Sequence, residues 1–243
     1  MKAILFDLDA TLLPMDQDLF IKEYFASLNR FFIRNKGTSQ LALQAVMEGT
    51  QRMLMNQGDK TNEEVFWEAY SSILGKEAAS DKALLEKFYE NEFDELKQFC
   101  HKENQVKALI QNLKQKNKIL IIASNPVFPL VAQKKRMQWA GVSPQDFAYI
   151  TSYENSKYCK PKLKYYEEIL IQFHLKAEDC LMVGNDVSED MVSKELGIDV
   201  FLITDHLINR NKEDITLYPH GNFEQLLRYI EVKEKSDKIT KNN

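Results

Sequence analysis

Two aspartates follow the first apolar run of this chain, and their spacing suits several kinds of chemistry. Residues 2–6 read Lys-Ala-Ile-Leu-Phe, and Asp7 and Asp9 come directly after them. A short apolar run of this kind is typical of a buried β-strand. Paired carboxylates at a strand end can hold a divalent cation, attack an electrophile or transfer a proton.

Polar side chains also follow three other apolar runs, at 119–123, 149–151 and 180–183. In an open parallel sheet, ligands bind beyond the carboxyl ends of the strands. We therefore expect these side chains to converge with the two aspartates on one edge of a sheet. They are Ser124, Asn125, Lys160, Asn185 and Asp186, with Asp190 one helical turn further on.

The elements needed to position this set alternate along the second half of the chain. Strands are predicted at 119–123, 149–151, 180–183 and 199–203, and helices at 104–116, 128–140, 163–173 and 188–196. Strands that alternate with helices indicate an α/β fold. We expect a doubly wound, Rossmann-like parallel sheet with helices on both faces.

Residues 16–98 contain no strand-like alternation and are predicted to form four helices. Gly37 is expected to end the first helix, Ser39 to cap the second, and Gly75 to end the third. Thr61 to Glu64 form a capping-box pattern that opens the third helix. The fourth is expected to open at Ser80 or Asp81.

These patterns divide the chain into three parts. Residues 1–15 and 99–231 are expected to form the α/β core, residues 16–98 an inserted all-helical cap domain, and residues 232–243 a disordered tail rich in Lys and Glu.

Composition argues against several partners. The 243 residues carry a formal net charge of −4, so no global basic field would recruit nucleic acid or an anionic membrane. The longest apolar stretch outside the N-terminus, 119–123, is far below the ~20 residues of a membrane helix. Three widely spaced cysteines show no metal-binding pattern. We expect a cytoplasmic protein, either a monomer or a dimer, and an anionic ligand held by a local cation.

Four segments resemble, in order, the four motifs of the haloacid dehalogenase superfamily of phosphatases and related enzymes. They are FDLDATL around Asp7, IIASN around Ser124, CKPKLKYYEEIL around Lys160, and VGNDVSEDM around Asp186. The resemblance spans residues 1–203. It implies a magnesium-dependent hydrolase that acts on a small phosphorylated metabolite, with the cap choosing the substrate.

The resemblance also assigns roles. Asp7 would be the nucleophile that forms an aspartyl phosphate, and Asp9 would protonate the leaving oxygen and later activate water. Mg²⁺ would be held by Asp7, Asp186 and the backbone carbonyl of Asp9. The remaining assignments are phosphate contacts from Ser124 and from Thr11 or Asn125, a stabilising positive charge from Lys160, and support from Asn185 and Asp190.

Two departures and three alternatives stay open. Ala10 stands where the family usually has Gly, and both Asn185 and Asp186 have an acceptable spacing to Asp190. A carboxylate suits Mg²⁺ better than an amide, which favours Asp186 as the ligand. The alternatives are a phosphomutase of the same superfamily, a regulatory phospho-acceptor module, and an inactive binding protein. Asp9 favours phosphoryl transfer over carbon–halogen cleavage, since members that break carbon–halogen bonds lack an acid there.

Overall fold

In the computed structural model, which describes residues 1–241, six parallel strands form one sheet in the order β3-β2-β1-β4-β5-β6. Phe6 at the end of β1 lies opposite Ile122 of β2 and Val183 of β4, so these three strands end at the same edge. The predicted α/β fold with a doubly wound parallel sheet is confirmed. The strands are β1 Ala3–Phe6, β2 Ile119–Ile122, β3 Tyr149–Ile150, β4 Cys180–Gly184, β5 Asp199–Ile203 and β6 His220–Gly221.

Alternate residues of the buried strands face opposite sides of the sheet, and helices cover both sides. Ile4 and Phe6 of β1 pack in one apolar cluster with helices α5, α6 and α8, whereas Ala3 and Leu5 pack in a second cluster with α7. A sheet covered on both faces needs continuous apolar strands, which explains the unbroken apolar runs in the sequence. The helices are α5 Asn104–Gln115, α6 Leu130–Trp139, α7 Leu163–Gln172 and α8 Phe223–Lys241.

The segment between β1 and α5 is helical and is here called the insert. Its helices are α1 Gln17–Lys36, α2 Gln40–Met55, α3 Asn62–Leu74 and α4 Ala78–Glu90, followed by a 3-10 helix at Glu92–Phe99. Gly37 ends α1 with a φ of 74°, and the capping box at Thr61 and Glu64 is present. Ser39 occupies the cap position of α2 without a side-chain capping bond.

Helix α4 begins at Ala78 rather than at Ser80 or Asp81. Asp81 is not free to cap the helix, because its carboxylate accepts hydrogen bonds from Tyr70 Oη at 2.8 Å and from Lys36 Nζ at 2.6 Å. This buried contact joins α1, α3 and α4, and it diverts the side chain that the sequence suggested as a cap.

The insert contacts the core along α6, where Lys135 Nζ lies 2.6 Å from Asp94 Oδ2, and backbone hydrogen bonds join the two parts at two further places. At the first, the two connecting segments run side by side: Met15 pairs with Cys100 in an antiparallel bridge, and His101 N donates to the Pro14 carbonyl at 2.8 Å. These segments lie at the boundaries that the sequence predicted between the α/β core and the cap.

The second attachment lies at the turn between α2 and α3. Asn62 N donates to the Ser156 carbonyl at 2.9 Å, and Glu63 N donates to the Tyr153 carbonyl at 2.7 Å. Lys162 Nζ donates to the carbonyl of Asn56 at 2.7 Å. The turn between α2 and α3 is therefore also bonded to core loops.

The structure differs from the sequence predictions mainly after residue 187. The predicted helix at 188–196 is a 3-10 helix, Met191–Leu196, and β6 and α8 were not predicted. Helix α8 continues through Lys241, into the segment predicted to be disordered; residues 242 and 243 lie outside the described residues. Lys and Glu favour helices, and Glu234 is anchored to the core by Lys118 at 3.0 Å.

All three cysteines are free thiols, and Cys159 and Cys180 are buried. Within residues 1–241, no helix combines the length and the apolar composition needed to cross a bilayer.

Gly49 allows the close approach of α2 and α3, and a Cβ at this position would lie 2.5 Å from Cδ2 of Phe66. Gly49→Ala should therefore destabilise the protein by about 1–3 kcal/mol through overpacking. This reverses the usual gain of up to ~1 kcal/mol for Ala over Gly inside a helix. Urea unfolding of the variant, beside Gln51→Ala on the exposed face of α2, tests the sign. A more stable Gly49→Ala protein would contradict the packing described.

Candidate active site

One buried lysine joins two aspartates at the carboxyl edge of the sheet. Lys160 Nζ lies 2.9 Å from Asp7 Oδ1 and 2.6 Å from Asp190 Oδ1, and the lysine side chain is 1% exposed. Burial alone would lower the pKa of Lys160, but the charges of Asp190 and Asp7 raise it well above the usual value. The amine therefore stays protonated and fixes both carboxylates.

Gly184 ends β4 directly against Asp190. A Cβ at this position would lie 2.1 Å from Asp190 Oδ2, so a larger residue would displace the carboxylate. That oxygen also accepts a hydrogen bond from Asp186 N at 3.0 Å. The close approach of strand and carboxylate explains why the fourth motif needs Gly here.

Thr11 lies beside Asp7 rather than out in the open cavity. Its Oγ1 is 3.0 Å from Asp7 Oδ2 and 3.0 Å from Asn185 Oδ1, and its single proton can serve one acceptor at a time. Asn185 Nδ2 donates to the His206 carbonyl at 2.7 Å. Thr11 was predicted as a phosphate contact; in the structure its Oγ1 contacts Asp7 and Asn185.

Asp186 is oriented by the chain that follows it. Its Oδ1 accepts from Ser188 N at 2.8 Å and from Glu189 N at 3.0 Å, while Oδ2 lies 3.3 Å from the Arg210 guanidinium. Two backbone bonds therefore hold one carboxylate oxygen and leave the other directed towards an exposed side chain.

A cavity of about 170 Å³, here called the reaction cavity, brings most of the predicted residues together. Helix α1 contributes Gln17, Phe20 and Ile21 to its wall, and Val127 and Phe128 follow β2. Among the described residues, Lys160 and Thr11 do not line this cavity but contact Asp7 from outside it. The predicted residues that line it are Asp7, Asp9, Ser124, Asn125, Asn185, Asp186 and Asp190.

Ser124 and Asn125 lie in a loop that the core holds firmly. The Ser124 carbonyl accepts from Thr151 Oγ1 at 2.7 Å and from Tyr165 Oη at 2.9 Å. Asn125 Nδ2 lies 3.2 Å from Glu189 Oε2, whereas Asn125 Oδ1 is buried without a partner among the described residues. Glu189, whose pKa is raised by burial, is a cavity carboxylate that the sequence did not single out.

Asp9 is held by a wholly buried arginine. The Arg136 guanidinium donates to Asp9 Oδ2 and to Gln133 Oε1, the latter at 2.7 Å, and it lies 4.3 Å from the centroid of the Phe128 ring. Burial raises the pKa of Asp9, while the charge of Arg136 opposes the rise. Asp9 Oδ1 has no hydrogen-bond partner among the described residues.

Sequence reasoning missed Arg136, which belongs to a basic run typical of a solvated helix face. The only signal is its spacing, because Arg136 lies on the same buried stripe of α6 as Ala132, Gln133 and Met137. A charged residue on an apolar stripe must find a buried partner. Its identity, Asp9, depends on tertiary packing and could not be read from α6.

Ala10 adopts a left-handed backbone conformation, with φ at 58°. The family's usual Gly takes this conformation without strain, whereas an L-residue with a Cβ incurs a cost of roughly 1 kcal/mol. The turn is nevertheless formed, since Thr11 N and Leu13 N both donate to the Leu8 carbonyl.

The donors present fit the divalent cation that the resemblance implies. Asp7 and Asp186 line one cavity, and the turn leaves the Asp9 carbonyl without a hydrogen-bond donor among the described residues. Within residues 1–241, no group of three or more His, Cys, Asp or Glu side chains is placed so that it could hold a metal ion. The fitting set is therefore two carboxylates and one carbonyl, which are hard oxygen ligands suited to Mg²⁺.

A family model described as haloacid dehalogenase-like hydrolase matches residues 1–193. No curated protein matches the chain. Solved structures do match it along nearly its whole length, at identities that carry information about the fold alone.

Two of these structures are described as enzymes with different reactions, a phosphatase and a dehalogenase. A predicted phosphoglycolate phosphatase from Haemophilus somnus 129PT is 16% identical, with a TM-score of 0.59, and the match covers 95% of this chain and 98% of that one. A 2-haloacid dehalogenase from Pseudomonas syringae pv. tomato DC3000 is also 16% identical, with a TM-score of 0.58 and coverages of 94% and 99%.

A third is the putative HAD-hydrolase YfnB from Bacillus subtilis, described as bound to magnesium and as revealing interdomain movement. It is 21% identical, with a TM-score of 0.53 and coverages of 94% and 97%.

Arg136→Met should destabilise the fold by about 3–5 kcal/mol, because it leaves Asp9 buried without its partner. Adding Asp9→Asn removes the uncompensated charge, so the double variant should recover about 1–3 kcal/mol relative to the sum of the single changes. Urea unfolding of the four proteins in this cycle measures that coupling. Lys134→Met, an exposed neighbour on α6, is the control and should change stability by less than about 0.5 kcal/mol. Additive effects of the two changes would mean that the pair is not energetically coupled.

Proposed function

This chain belongs to the haloacid dehalogenase-like hydrolase family, and we propose that it hydrolyses small phosphate monoesters with Asp7 as the nucleophile. The observation that supports this choice most strongly is Asp9, a carboxyl group with a raised pKa in the same cavity as Asp7. An alkoxide leaving group needs a proton, and burial, which raises the pKa of Asp9, favours the protonated carboxyl that could supply it.

In the proposed reaction, a carboxylate oxygen of Asp7 attacks phosphorus and the bond to the ester oxygen breaks. The leaving oxygen takes the proton of Asp9, and an aspartyl phosphate remains on Asp7. Asp9, now ionised, then accepts a proton from water as the water attacks phosphorus. This step releases inorganic phosphate and restores both carboxyl groups.

Bound Mg²⁺, held by Asp7, Asp186 and the Asp9 carbonyl, would offset the repulsion between phosphate and carboxylate. Side chains of the protein hold Asp7 in position. Lys160 holds Asp7 and places a positive charge beside it, and Asp190 holds Lys160.

Ser124 and Asn125, which line the reaction cavity, are the residues that we expect to contact the phosphate oxygens of the substrate. Asn125 also carries a donor group near Glu189 and an unpartnered acceptor, so it can rearrange to meet a ligand. Thr11, in contrast, is assigned to holding Asp7 and Asn185.

Similar structures include both phosphatases and dehalogenases, so the fold does not decide between the two reactions. Chemistry favours the phosphatase. A halide leaves as a stable anion without a proton, whereas the alcohol of a phosphate ester needs a proton to leave. A proton donor such as Asp9 would therefore have no evident purpose in carbon–halogen cleavage.

We assign residues 1–15 and 99–231 to the catalytic core and residues 16–98 to a cap that selects the substrate. The support for this division is that α1 lines the reaction cavity but brings no carboxylate to it. Its contributions are Gln17, Phe20 and Ile21, which can contact the organic part of an ester.

The wild-type protein should release phosphate from acetyl phosphate and para-nitrophenyl phosphate in the presence of Mg²⁺, and EDTA should abolish this activity. Asp7→Asn should lower kcat by about 10⁴-fold or more with an unchanged circular dichroism spectrum, because an amide is not a nucleophile. Halide release from 2-chloropropionate measures the competing reaction. Metal-independent halide release without phosphatase activity would overturn the proposal.

Asp186→Asn should raise the Mg²⁺ concentration for half-maximal activity by about tenfold or more, because it removes a carboxylate ligand while keeping the acceptor for Ser188 N and Glu189 N. Asn185→Ala is the matched comparison, since both polar groups of Asn185 already have protein partners. Magnesium titrations of both variants measure the effect. A larger shift for Asn185→Ala would make Asn185 the metal ligand.

A further inference from the structure

A second and larger cavity, here called the cap cavity, lies between the helical insert and the core. Its volume is about 310 Å³, and it is bounded by α1, α2, α3 and α4 of the insert and by the core loops after β2 and β3. A space of this size accommodates a small organic ligand. None of the residues that carry the proposed phosphoryl chemistry lines it.

The cap cavity and the reaction cavity are neighbours along α1. Ile21 lines the reaction cavity and Tyr24, less than one helical turn further on, lines the cap cavity. Val127 lines both cavities, and the Tyr24 ring lies 5.3 Å from the ring of Phe128. One turn of helix is about 5.4 Å, so the two cavities lie side by side at Val127 and the Tyr24–Phe128 contact.

Aromatic rings form much of the wall of the cap cavity. The ring of Phe66 lies 5.1 Å from Trp67 and 6.1 Å from Tyr153, and Tyr24 shares a 2.7 Å hydrogen bond with Tyr89. Lys82 Nζ lies 5.6 Å from the centroid of the Trp67 ring, within the range of a cation–π contact. The wall therefore suits an apolar or aromatic skeleton and can also accept a positive charge.

The charged residues at the cavity are mostly acidic. Four glutamates line it against a single lysine, a formal net charge of −3. Glu63 pairs with Lys82 at 2.9 Å, and both oxygens of Glu154 accept from Leu130 N. Glu86 and Glu90, one turn apart on α4, have side chains without a hydrogen bond or ion pair among the described side chains.

We propose that the cap cavity binds the organic group of the substrate, and that this group carries a protonated or quaternary amine on an apolar or aromatic skeleton. Aromatic faces and unpaired carboxylates together attract cations and repel a second phosphate or a carboxylate. The inference rests on the proposed phosphatase function and adds to it the charge of the substrate's organic part.

Isosteric esters that differ in charge test the proposal directly. The wild-type protein should hydrolyse phosphocholine with a kcat/KM about tenfold or more above that of neutral 3,3-dimethylbutyl phosphate, which has the same shape. Phosphoethanolamine should likewise exceed phosphoglycolate, whose organic group is an anion. Equal rates within these pairs, or a preference for the neutral or anionic member, would overturn the proposal.

Variants locate the preference. The double change Glu86→Gln and Glu90→Gln should reduce the ratio of phosphocholine to 3,3-dimethylbutyl phosphate by roughly tenfold, because it removes two charges without changing side-chain size. The control is Glu167→Gln with Glu195→Gln, which removes two exposed charges from the core and should leave the ratio unchanged. A ratio that persists in the first variant, or falls equally in both, would show that the cap cavity is not its source.

Acetyl phosphate separates the two proposals. Hydrolysis of acetyl phosphate without discrimination among the charged pairs would refute the cap-cavity inference and leave the phosphatase function intact. A wild-type protein that hydrolyses neither acetyl phosphate nor any of the esters would refute both.

Discussion

The ammonium group of Lys160 is the interaction on which the arrangement of the site depends. It is buried between Asp7 and Asp190, which follow β1 and β4. Moving a charge into a protein interior costs several kcal/mol unless a partner compensates it. The three charges therefore stabilise one relative position of the strand ends, and the close approach of Gly184 to Asp190 belongs to that same geometry.

Features fixed by short-range geometry could be predicted from the sequence, and features fixed by packing could not. The strand that precedes Asp7 and the capping box at Thr61 were recognisable because backbone geometry and neighbouring residues determine them. The partnership of Arg136 with Asp9 joins residues 127 positions apart, and Asp81 became a buried hydrogen-bond acceptor instead of a helix cap. Both outcomes depend on which elements meet in space.

The fold alone does not determine which reaction the site catalyses. Proteins with this architecture include phosphatases and dehalogenases, and a carboxylate nucleophile beside a lysine is compatible with either reaction. In this chain a second carboxyl, Asp9, lies in the cavity of Asp7, and its proton affinity depends on two opposing influences, burial and the Arg136 charge. Arg136 on α6, outside the four motifs, therefore influences the proton affinity of Asp9.

The turn between α2 and α3 is bonded to core loops through Asn62 and Glu63, and the chain crossings near Met15 also join the insert to the core. A body attached at one place can swing as a rigid unit, but a body attached at two places must first break one set of bonds. Separation of the insert from the core at this turn therefore requires backbone hydrogen bonds to break, which makes it a local unfolding event.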